Sequence, residues 1–408
     1  MAYTTLEKAF YADVSSERHS NHQALYRARF ESESTIRTGI QLQNGELFCA
    51  FPVELVLEGE NIYKNESRIA SLWPSLPYVA RGAFVRSLIL DEVVSSNEIE
   101  GVHSTRRQIE VALENSAASG SKHAPFYEFA KLYLGLSSVS PLPKTPADVR
   151  AVFDAVVDGS LAEDAKPDGK LFRSEPVHIE NNRGKRLHSG VVPESEIIRL
   201  VEQMIELNLR EDSSSLARAV MGHFLFEYTH PFYDGNGRTG RYLLALYLSR
   251  LLSQATVLSL SRTIAENKNA YYKGFDVVER PLNCCEATPF VAMFFDLILR
   301  AQEDVIASLE MKKAQLESLD ETLLEMQAIY SGRSVEVLRY AAQMHLFEAF
   351  GETSLTGLSE YLGVSKATAS KAFSELIELG VLRKVSSRPF VCKFSSAGAK
   401  QLGLEQDR

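Results

Sequence analysis

The stretch from His230 to Arg241 combines residue types that could act together on a phosphate group. Its sequence is His-Pro-Phe-Tyr-Asp-Gly-Asn-Gly-Arg-Thr-Gly-Arg. Apolar residues recur at helical spacing before it, from Leu216 to Tyr228, and after it, from Leu243 to Leu251. The spacing predicts a turn between two apolar helices, and we expect the second helix to begin near Arg238.

The glycines of this turn predict a binding site for an anion. Glycine lets a backbone bend where a side chain would obstruct it. We therefore expect the amides of Gly235, Gly237 and Gly240 to point into a concavity at a helix N-terminus, which is a favourable position for an anion. Arg238 and Arg241 are three residues apart, so both should project from the first turn of the second helix.

Three further side chains supply chemistry that a phosphate site needs. Asn236 adds an uncharged donor, and Asp234 is a hard oxygen ligand that suits Mg²⁺ bound to phosphates. His230 has the unperturbed pKa of a side chain that can take a proton near neutral pH. A base, a metal ligand, an amide nest and two arginines together indicate phosphoryl or nucleotidyl transfer.

Simpler interpretations do not account for the whole turn. The segment Gly235-Asn-Gly-Arg-Thr-Gly240 matches the dinucleotide-binding fingerprint, but that fingerprint requires a preceding strand, and the preceding segment has helical period. A plain connecting turn, with His230 as a helix C-cap, would explain a lone histidine or a lone Gly-x-Gly. It does not explain why so many chemical roles occur together.

A second candidate site lies near the end of a helix predicted from Ala80 to Ile99. Gly101 follows the periodic residues and is a helix stop. Glu98 and Glu100 lie near the C-terminal end of this helix, where a carboxylate is electrostatically unfavourable. They are either solvated charges or partners of a cation, and the arginines of the turn are candidates for that cation.

Other segments predict the elements around these sites. Extended residues at Leu171–Glu180 and Leu187–Val192 flank a glycine-containing turn, which is typical of a β-hairpin. We expect Phe51–Leu57 to form a short strand or an extended arm, and Glu303–Tyr330 to form one long amphipathic helix.

The central turn resembles the signature of the Fic family, His-Pro-Phe-x-Asp-Gly-Asn-Gly-Arg-x-x-Arg, and matches it at every fixed position. The resemblance implies transfer of AMP from ATP to a Ser, Thr or Tyr hydroxyl of a protein. It implies that His230 is the general base, that Asp234 binds Mg²⁺ and that Arg241 meets the γ-phosphate. The residues of the turn that would bind ATP are Gly235, Asn236, Gly237, Arg238, Thr239, Gly240 and Arg241.

The segment Ser96-Asn-Glu-Ile-Glu100-Gly101 resembles the inhibitory motif of the same family. The resemblance implies that Glu100, within a motif that includes Ser96 and Gly101, pairs with Arg241 and prevents ATP from binding productively. The motif precedes the catalytic signature, so the chain is similar to the subclass with an N-terminal inhibitory helix.

Two further features follow from this resemblance. The family has a hairpin before the signature, the flap, which binds a target segment by strand addition, and the hairpin predicted here has that place. The family often has an Asn and a Tyr pair near the nucleotide base, so we assign Asn267 and Tyr271 to the adenosine pocket. Core packing is the alternative for Tyr271 and Tyr272, and it explains at least one of them.

The C-terminal residues resemble a winged helix-turn-helix. Ser354–Ser365 predicts a helix and a tight turn, Lys366–Leu379 the next helix and Phe390–Phe394 a strand. The resemblance implies contact with DNA. Such domains also serve as protein-docking or dimer modules, and positive and negative residues after Ser334 nearly balance. DNA and a second copy of the chain, in a homodimer, therefore both stay open as partners.

The overall composition is that of an ordinary globular protein. The 408 residues suffice for two or three domains, and the net charge of -9 argues against a general polyanion binder. The four cysteines lack the spacing of a zinc or redox site, and free thiols suit a reducing cytoplasm. No signal peptide and no apolar run of bilayer length is evident. We expect a cytoplasmic protein that does not bind membranes.

These observations predict a mostly α-helical protein: a helical Fic core with a β-hairpin flap, followed by a small winged helix-turn-helix domain. The predicted parts are residues 1–110 with the inhibitory helix, 111–302 as the catalytic core, 303–333 as a linker helix and 334–408 as the C-terminal domain. The predicted function is Mg²⁺-dependent transfer of AMP from ATP to an unknown protein target, including the chain itself, with autoinhibition by Glu100. Three alternatives remain: transfer of UMP, phosphate or phosphocholine, removal of AMP, or a DNA-binding regulator whose Fic unit senses a nucleotide.

Overall fold

Helices make up most of the computed structural model, which describes residues 3–115, 125–180 and 186–404. The mostly α fold class is therefore confirmed. The helices are α1 (Leu6–Ala12), α2 (Arg18–Phe30), α3 (Val53–Leu72), α4 (Tyr78–Ile99), α5 (Arg106–Asn115), α6 (Tyr127–Leu134), α7 (Pro146–Val156), α8 (Glu194–Leu209), α9 (Ser215–Thr229), α10 (Asn236–Leu248), α11 (Gln254–Val257), α12 (Leu260–Glu266), α13 (Lys268–Glu279), α14 (Thr288–Met326), α15 (Gly332–Phe347), α16 (Leu355–Leu362), α17 (Lys366–Glu378) and α18 (Ser396–Gln401). The strands are β1 (Ile36–Leu42), β2 (Gly45–Cys49), β3 (His178–Glu180), β4 (Arg186–Ser189), β5 (Thr353–Ser354), β6 (Leu382–Ser387) and β7 (Phe390–Phe394).

The chain divides into two compact units. The first contains Met1–Glu66 and Asp91–Glu303, and the second contains Ser67–Leu90 and Asp304–Arg408. Every candidate site residue lies in the first unit. The four-part division of the chain at residues 110, 302 and 333 stays a prediction.

The two apolar helices predicted around the central turn are α9 and α10. Helix α9 packs against both α8 and α10. Every residue of α10 is buried, which is the pattern of a helix in the interior of a domain. Helix α10 begins at Asn236 rather than near Arg238, because Gly235 adopts a left-handed conformation, with φ of 81°, and forms the N-cap.

Two antiparallel hairpins belong to the first unit. Strands β3 and β4 form the hairpin predicted before the signature, with His178 opposite Ser189 and Ile179 opposite His188. They are shorter than the predicted extended segments, and residues 181–185 of the predicted turn lie outside the described residues. Strands β1 and β2 pair in a second hairpin that the sequence analysis did not identify.

The expectation of a strand or extended arm at Phe51–Leu57 is wrong. Val53 begins the 20-residue helix α3. Leu55, Ile62 and Ile69 are all buried, and they recur every seven residues, so they lie on one face of a helix. The helical period is visible only over the whole length of α3, whereas the short apolar run at its start also fits a strand.

The helix predicted over Glu303–Tyr330 is the second half of the 39-residue helix α14, which ends at Met326. After Pro289, in its first turn, α14 contains no proline or glycine that could interrupt it.

The second unit contains the helices and strands predicted for the C-terminal region. Helices α16 and α17 are joined through Gly363, whose φ of 62° ends α16, and the Ser365 side chain caps the start of α17. Strands β5, β7 and β6 form an antiparallel sheet in that order. The assignment of this region as a winged helix-turn-helix, and its binding of DNA, stay predictions.

Candidate active site

The central turn begins where α9 ends. His230 is the C-cap of α9 and adopts a left-handed conformation with φ of 50°, and its amide donates to the Phe226 carbonyl at 2.9 Å. The C-cap interpretation of His230 and a catalytic role are thus compatible. The next residues are buried, and the Phe232 ring stacks on Phe153 with ring centroids 3.6 Å apart. This packing holds the backbone of the turn in place.

Asn236 fixes the shape of the turn with its side chain. Its Oδ1 accepts from the Phe232 amide at 3.0 Å, and its Nδ2 donates to the Phe232 carbonyl at 2.8 Å. The side chain is 2% exposed. We assigned the side chain of Asn236 to a phosphate, but both ends of its amide are used within the turn. Asn236 can still offer its backbone amide at the start of α10.

The amide nest contains other residues than the glycine pattern predicts. The Gly235 amide does not belong to it, because it donates to the Asp234 carboxylate at 2.6 Å. The first amides of a helix have no partner within it, and the helical bonds of α10 begin where the Thr239 amide donates to the Gly235 carbonyl. The amides of Asn236, Gly237 and Arg238 therefore form the nest. The expectation that the Gly240 amide belongs to it is wrong, because Gly240 lies beyond the first turn.

Gly240 and Thr239 instead shape the packing of α10. A Cβ on Gly240 would collide with Glu227 and Phe226 of α9, so glycine permits the close approach of the two helices. The Thr239 hydroxyl is buried and donates to the Gly235 carbonyl at 2.8 Å. Both residues are part of the assigned ATP-binding stretch, but in the structure Gly240 allows α9 and α10 to pack closely and Thr239 stabilises the start of α10.

The two arginines of the turn have different surroundings. Arg238 is 1% exposed and donates to the Ser160 hydroxyl at 2.9 Å, while its Nε is buried without a hydrogen-bond partner in the described structure. Arg241 donates from Nε to the Ser96 hydroxyl at 3.0 Å, from Nη2 to the Ser96 carbonyl at 2.8 Å and from Nη1 to Glu100 at 2.8 Å. The structure therefore brings Ser96, Glu100 and Arg241 together, as the inhibitory motif implies.

The Glu100 carboxylate lies over the start of α10. A Cβ on Gly237 would occupy the same space as this carboxylate, so only glycine leaves room for it. The Glu100 side chain is 26% exposed, whereas that of Arg241 is 2% exposed. Glu100 thus occupies the position at a helix N-terminus that favours an anion.

The end of α4 is held by donors from α13. Gly101, with φ of 73°, ends the helix as expected. Lys268 donates to the Ile99 carbonyl at 2.6 Å, and the Tyr272 hydroxyl donates to the same carbonyl at 3.3 Å. A cation at a helix C-terminus is favourable, so Lys268 offsets part of the cost of placing Glu100 there.

His230 lies in a site that keeps its imidazole neutral. The pKa of His230 is lowered to about 3, mainly by burial and in part by the nearby His188 imidazole and Arg173 guanidinium. The ring centroids of His188 and His230 are 6.5 Å apart. Nδ1 of His230 is buried and has no hydrogen-bond partner among the described residues. A neutral imidazole at pH 7 can accept a proton, as a general base requires.

Asp234 has the exposure that a metal ligand near a phosphate needs. Its side chain is 55% exposed, and one carboxylate oxygen lies 3.9 Å from Nη2 of Arg238. The described residues hold no cluster of three His, Cys, Asp or Glu side chains that could bind a metal by themselves. Mg²⁺ commonly binds through one or two carboxylates together with substrate phosphates, and the lone exposed Asp234 fits that arrangement.

The assignment of Tyr271 to the adenosine pocket needs correction. Tyr271 is 2% exposed and belongs to an aromatic cluster with Phe275 and Phe294, and its hydroxyl bonds to Nε2 of His223 at 2.9 Å. Tyr271 therefore packs in the core, and Tyr272 is the exposed member of the pair, 46% exposed. The assigned Asn267 is the N-cap of α13, and its side chain donates to the Thr263 carbonyl at 2.9 Å.

The sequence analysis missed two charged residues beside the turn. Arg173 is fully buried next to His230. Glu227 lies on α9 against Gly240, and its Oε1 is buried without a hydrogen-bond partner in the described structure. Burial raises the pKa of Glu227 to about 8, with the Glu100 charge adding to the effect and Arg241 opposing it. In the sequence, a glutamate in a helix and an arginine before a hairpin give no signal of burial.

Comparison with known proteins agrees with the motif. Residues 145–248 match the model of the Fic/DOC family. The protein adenylyltransferase fic-1 of Caenorhabditis briggsae is 31% identical over 130 residues, which are 30% of this chain and 23% of that protein. The match thus spans less than a quarter of the length of that curated relative.

Solved structures of Fic proteins are also similar. A Fic family protein from Desulfovibrio desulfuricans G20 is 18% identical with a TM-score of 0.47, and the match covers 82% of this chain and 96% of that chain. Fic-1 from C. elegans is 16% identical with a TM-score of 0.46, and the match covers 75% of this chain and 81% of that chain.

Proposed function

We propose that this chain, which carries a Fic domain over residues 145–248, transfers AMP from ATP to a hydroxyl group of a protein, with the chain itself as one target. The observation that carries the proposal is the turn itself, which joins the neutral His230 at the end of α9 to the amide nest at the start of α10. The nest at the start of α10 and the two buried arginines, Arg238 and Arg241, favour the phosphates of a nucleotide.

In the proposed reaction, the target hydroxyl attacks the α-phosphorus of ATP. His230 takes the hydroxyl proton as the new oxygen–phosphorus bond forms. The bond from the α-phosphorus to the oxygen that bridges to the β-phosphate breaks, and pyrophosphate leaves. Catalysis by such a site lies mainly in positioning and in stabilising the charge that develops on the phosphates.

We assign the roles of the turn from its geometry together with the resemblance to the family signature. The amides of Asn236, Gly237 and Arg238 face the α- and β-phosphates, and the guanidinium of Arg238 adds charge there. Arg241 meets the γ-phosphate. Asp234 would hold Mg²⁺, which would neutralise part of the negative charge of the phosphates. The exposed Tyr272 is a better candidate than the buried Tyr271 for contact with the adenine, and Asn267 remains assigned near it.

In this proposal, the flap binds the target segment. Strands β3 and β4 pair only with each other in the described part of the chain, so each has an edge that could bind an extended segment. Main-chain hydrogen bonds to such an edge hold a peptide with little dependence on its sequence. A hydroxyl on the bound segment would then face His230.

Glu100 restrains the reaction in this proposal. Its carboxylate and the γ-phosphate compete for Arg241, and the carboxylate already lies over the nest. A carboxylate–arginine contact of this kind is strong enough to compete with a phosphate. Restraint by Glu100 explains why a carboxylate is kept at a helix end where its charge is unfavourable.

Labelled ATP tests the proposal. Purified protein with Glu100→Gly is incubated with Mg²⁺ and ATP that carries the label on the α- or the γ-phosphate. We expect label on the protein from α-labelled ATP alone, and a mass spectrum that shows added AMP. Label from γ-labelled ATP would mean phosphate transfer. In a parallel incubation with α-labelled UTP, label from UTP but not from ATP would mean UMP transfer. Loss of label from pre-modified protein with Glu100 intact would indicate AMP removal.

The role of Asp234 is tested in the same assay. Asp234→Ala should lower the transfer rate and raise the Mg²⁺ concentration needed for half-maximal activity, because one ligand of the ion is lost. Asp164→Ala, in the same unit, is a matched control that should change neither quantity. An unchanged Mg²⁺ requirement in Asp234→Ala would assign the metal to another ligand.

A further inference from the structure

Arg173 is buried between the flap and the catalytic turn. Its side chain has no exposed surface. It donates from Nε to the His230 carbonyl at 2.8 Å, from Nη1 to the Glu175 carbonyl at 2.7 Å and from Nη2 to the Val191 carbonyl at 2.8 Å. A longer contact of 3.4 Å joins Nη2 to the Thr229 carbonyl. One guanidinium therefore holds four main-chain carbonyls.

The four carbonyls belong to two parts of the molecule that the proposed reaction must keep in register. Thr229 and His230 are the last residue and the C-cap of α9. Glu175 precedes β3, and Val191 follows β4, so these two residues form the base of the flap. The backbone adds two more links, from the Arg173 amide to the Pro231 carbonyl and from the Val191 amide to the Thr229 carbonyl, each at 3.1 Å.

Burial of the Arg173 guanidinium has an energetic cost, which indicates that this side chain is needed at its position. Burying a cation away from water is unfavourable, and all its hydrogen bonds in the described structure go to neutral carbonyls. Two of these carbonyls lie at the C-terminal end of α9, where the helix dipole favours positive charge and offsets part of the cost. A neutral side chain could pack here with less cost, but it would not join all four carbonyls.

We propose that Arg173 is a positioning residue that fixes the base of the flap to the His230 backbone, so that a hydroxyl held on the flap reaches the imidazole. This inference rests on the proposed AMP transfer. Arg173 makes no contact with Asn236, Gly237, Arg238 or Arg241 among its hydrogen bonds, so it acts on the acceptor side of the reaction rather than on ATP.

The fit around the guanidinium requires arginine. The planar fork of arginine presents five donors in fixed directions, whereas a lysine ammonium is a single compact group. A Cβ on Gly190 would collide with Nη2 of Arg173 and with Val177. Gly190 thus leaves the space that the guanidinium occupies, and Gly190→Ala displaces it without removing its charge.

The test compares Arg173→Lys and Gly190→Ala in a Glu100→Gly background of the full chain. The matched control is Arg218→Lys. Arg218 is buried like Arg173, but it lies on α9 and donates to Ser213 and Ser215 at the end of that helix far from His230. The maximal rate of self-modification and the ATP concentration that gives half of it are measured for each protein, with ATP as the probe.

We expect Arg173→Lys and Gly190→Ala to lower the maximal rate by about 10- to 100-fold, the order of loss that a displacement near 1 Å produces. The half-saturating ATP concentration should change less than about twofold. The control should keep both values. Combining the two changes should lower the rate little further, because both act on one contact.

Hydrogen exchange separates this inference from the proposed function. If the Glu100→Gly parent transfers no AMP, the proposed function fails, and exchange of the Val191 amide decides whether Arg173 holds the flap. Faster exchange of this amide in Arg173→Lys or in Gly190→Ala, with the control unchanged, supports the positioning role. If one variant does not fold, the other decides. The inference is overturned if Arg173→Lys and Gly190→Ala transfer AMP as fast as the parent. If the parent is inactive, it is overturned if the Val191 amide exchanges in these variants as slowly as in the parent.

Discussion

At the scale of single residues, burial decides which groups of the first unit are charged. The pKa of both His223 and His230 falls to about 3, and burial is the main cause in each case. Burial raises the pKa of Glu227 to about 8. Burial would lower the pKa of Arg241, but Glu100, Tyr271 and Glu227 together raise it above its usual value, so Arg241 keeps its charge. Beside the nest, the neutral His230 and Glu227 therefore lie near the buried guanidinium groups of Arg238 and Arg241.

Replacing the proposed base removes transfer without removing ATP binding. We expect His230→Ala to lower the rate of AMP transfer by about 10²- to 10⁴-fold, the usual contribution of a general base. ATP affinity, measured by calorimetry, should be retained because the nest at the start of α10 is unchanged. Since the pKa of His230 is about 3, protonation of this base should not lower the transfer rate of the parent between pH 7 and pH 5. Full activity of His230→Ala would rule out its role.

Glu227→Gln tests the raised pKa of a buried carboxyl. The pKa of Glu227 is about 8 in the folded protein and its ordinary value is 4.5, so between these values the unfolded protein releases a proton that the folded protein retains. Stability must therefore fall as pH rises through this window. Glutamine removes that loss, so the stability of Glu227→Gln relative to the parent should rise from pH 5 to pH 8. Urea unfolding of both proteins at the two pH values measures it, and a difference independent of pH would contradict the assignment.

At the scale of elements, the proposed regulation depends on the contact between the end of α4 and the start of α10. Glu100→Gly should raise AMP transfer, visible as self-modification, by roughly 5- to 150-fold, the range of a typical coupling between two sites. The reason is that Arg241 becomes free for the γ-phosphate. The initial rate with labelled ATP measures the change, with Glu98→Gly as a control, because Glu98 is exposed on the same helix.

The double variant shows whether the two residues act through one contact. Arg241→Ala should lower transfer, and adding Glu100→Gly to it should have almost no further effect, because the contact is already lost. Ser96 lies in the same contact, so Ser96→Ala should give a smaller increase than Glu100→Gly. If Glu100→Gly leaves transfer flat or lowers it in a folded protein, Glu100 is not a restraint, and a role in AMP removal becomes the better explanation.

At the scale of the whole molecule, chemistry and the C-terminal region should be separable. Lys366 and Lys371 are exposed on α17 in the second unit, whereas all site residues belong to the first. Reversing both charges, with Lys366→Glu and Lys371→Glu, should leave AMP transfer within about twofold of the parent. Weaker retention on duplex DNA in the same variant, with a smaller dependence on salt, would identify DNA as the partner. Unchanged retention together with an altered molecular mass would favour a dimer module.

Point changes suit this test better than truncation. In the second unit, Phe84 packs edge-on against Phe347, with ring centroids 6.2 Å apart, and the Lys312 ammonium donates to the Leu346 carbonyl. Removing residues 334–408 would expose these apolar groups. Loss of activity in a truncated protein would then reflect the exposed surface as well as any direct role. Within the described residues, no helix has the length and apolar character to cross a bilayer.

The sequence by itself determined the parts of this protein that depend on local chemistry. The helical periods around the central turn, the stop at Gly101 and the glycine at the start of α10 follow from the backbone preferences of neighbouring residues. The capping box of Thr145 and Asp148 at the start of α7 has the same local origin. The pairing of Glu100 with Arg241 came from the family motif and from the unfavourable charge at a helix end.

Only the tertiary structure decided which residues meet across large separations in the chain. Arg173 contacts His230 because the flap base folds onto the end of α9, and no periodicity records that contact. The hydroxyl of Tyr271 faces His223, so Tyr271 joins the core and Tyr272 the surface, although the sequence offers two adjacent tyrosines. Burial also neutralises Glu227 and His230, because the cost of a charge depends on the surrounding packing and not on the residue type.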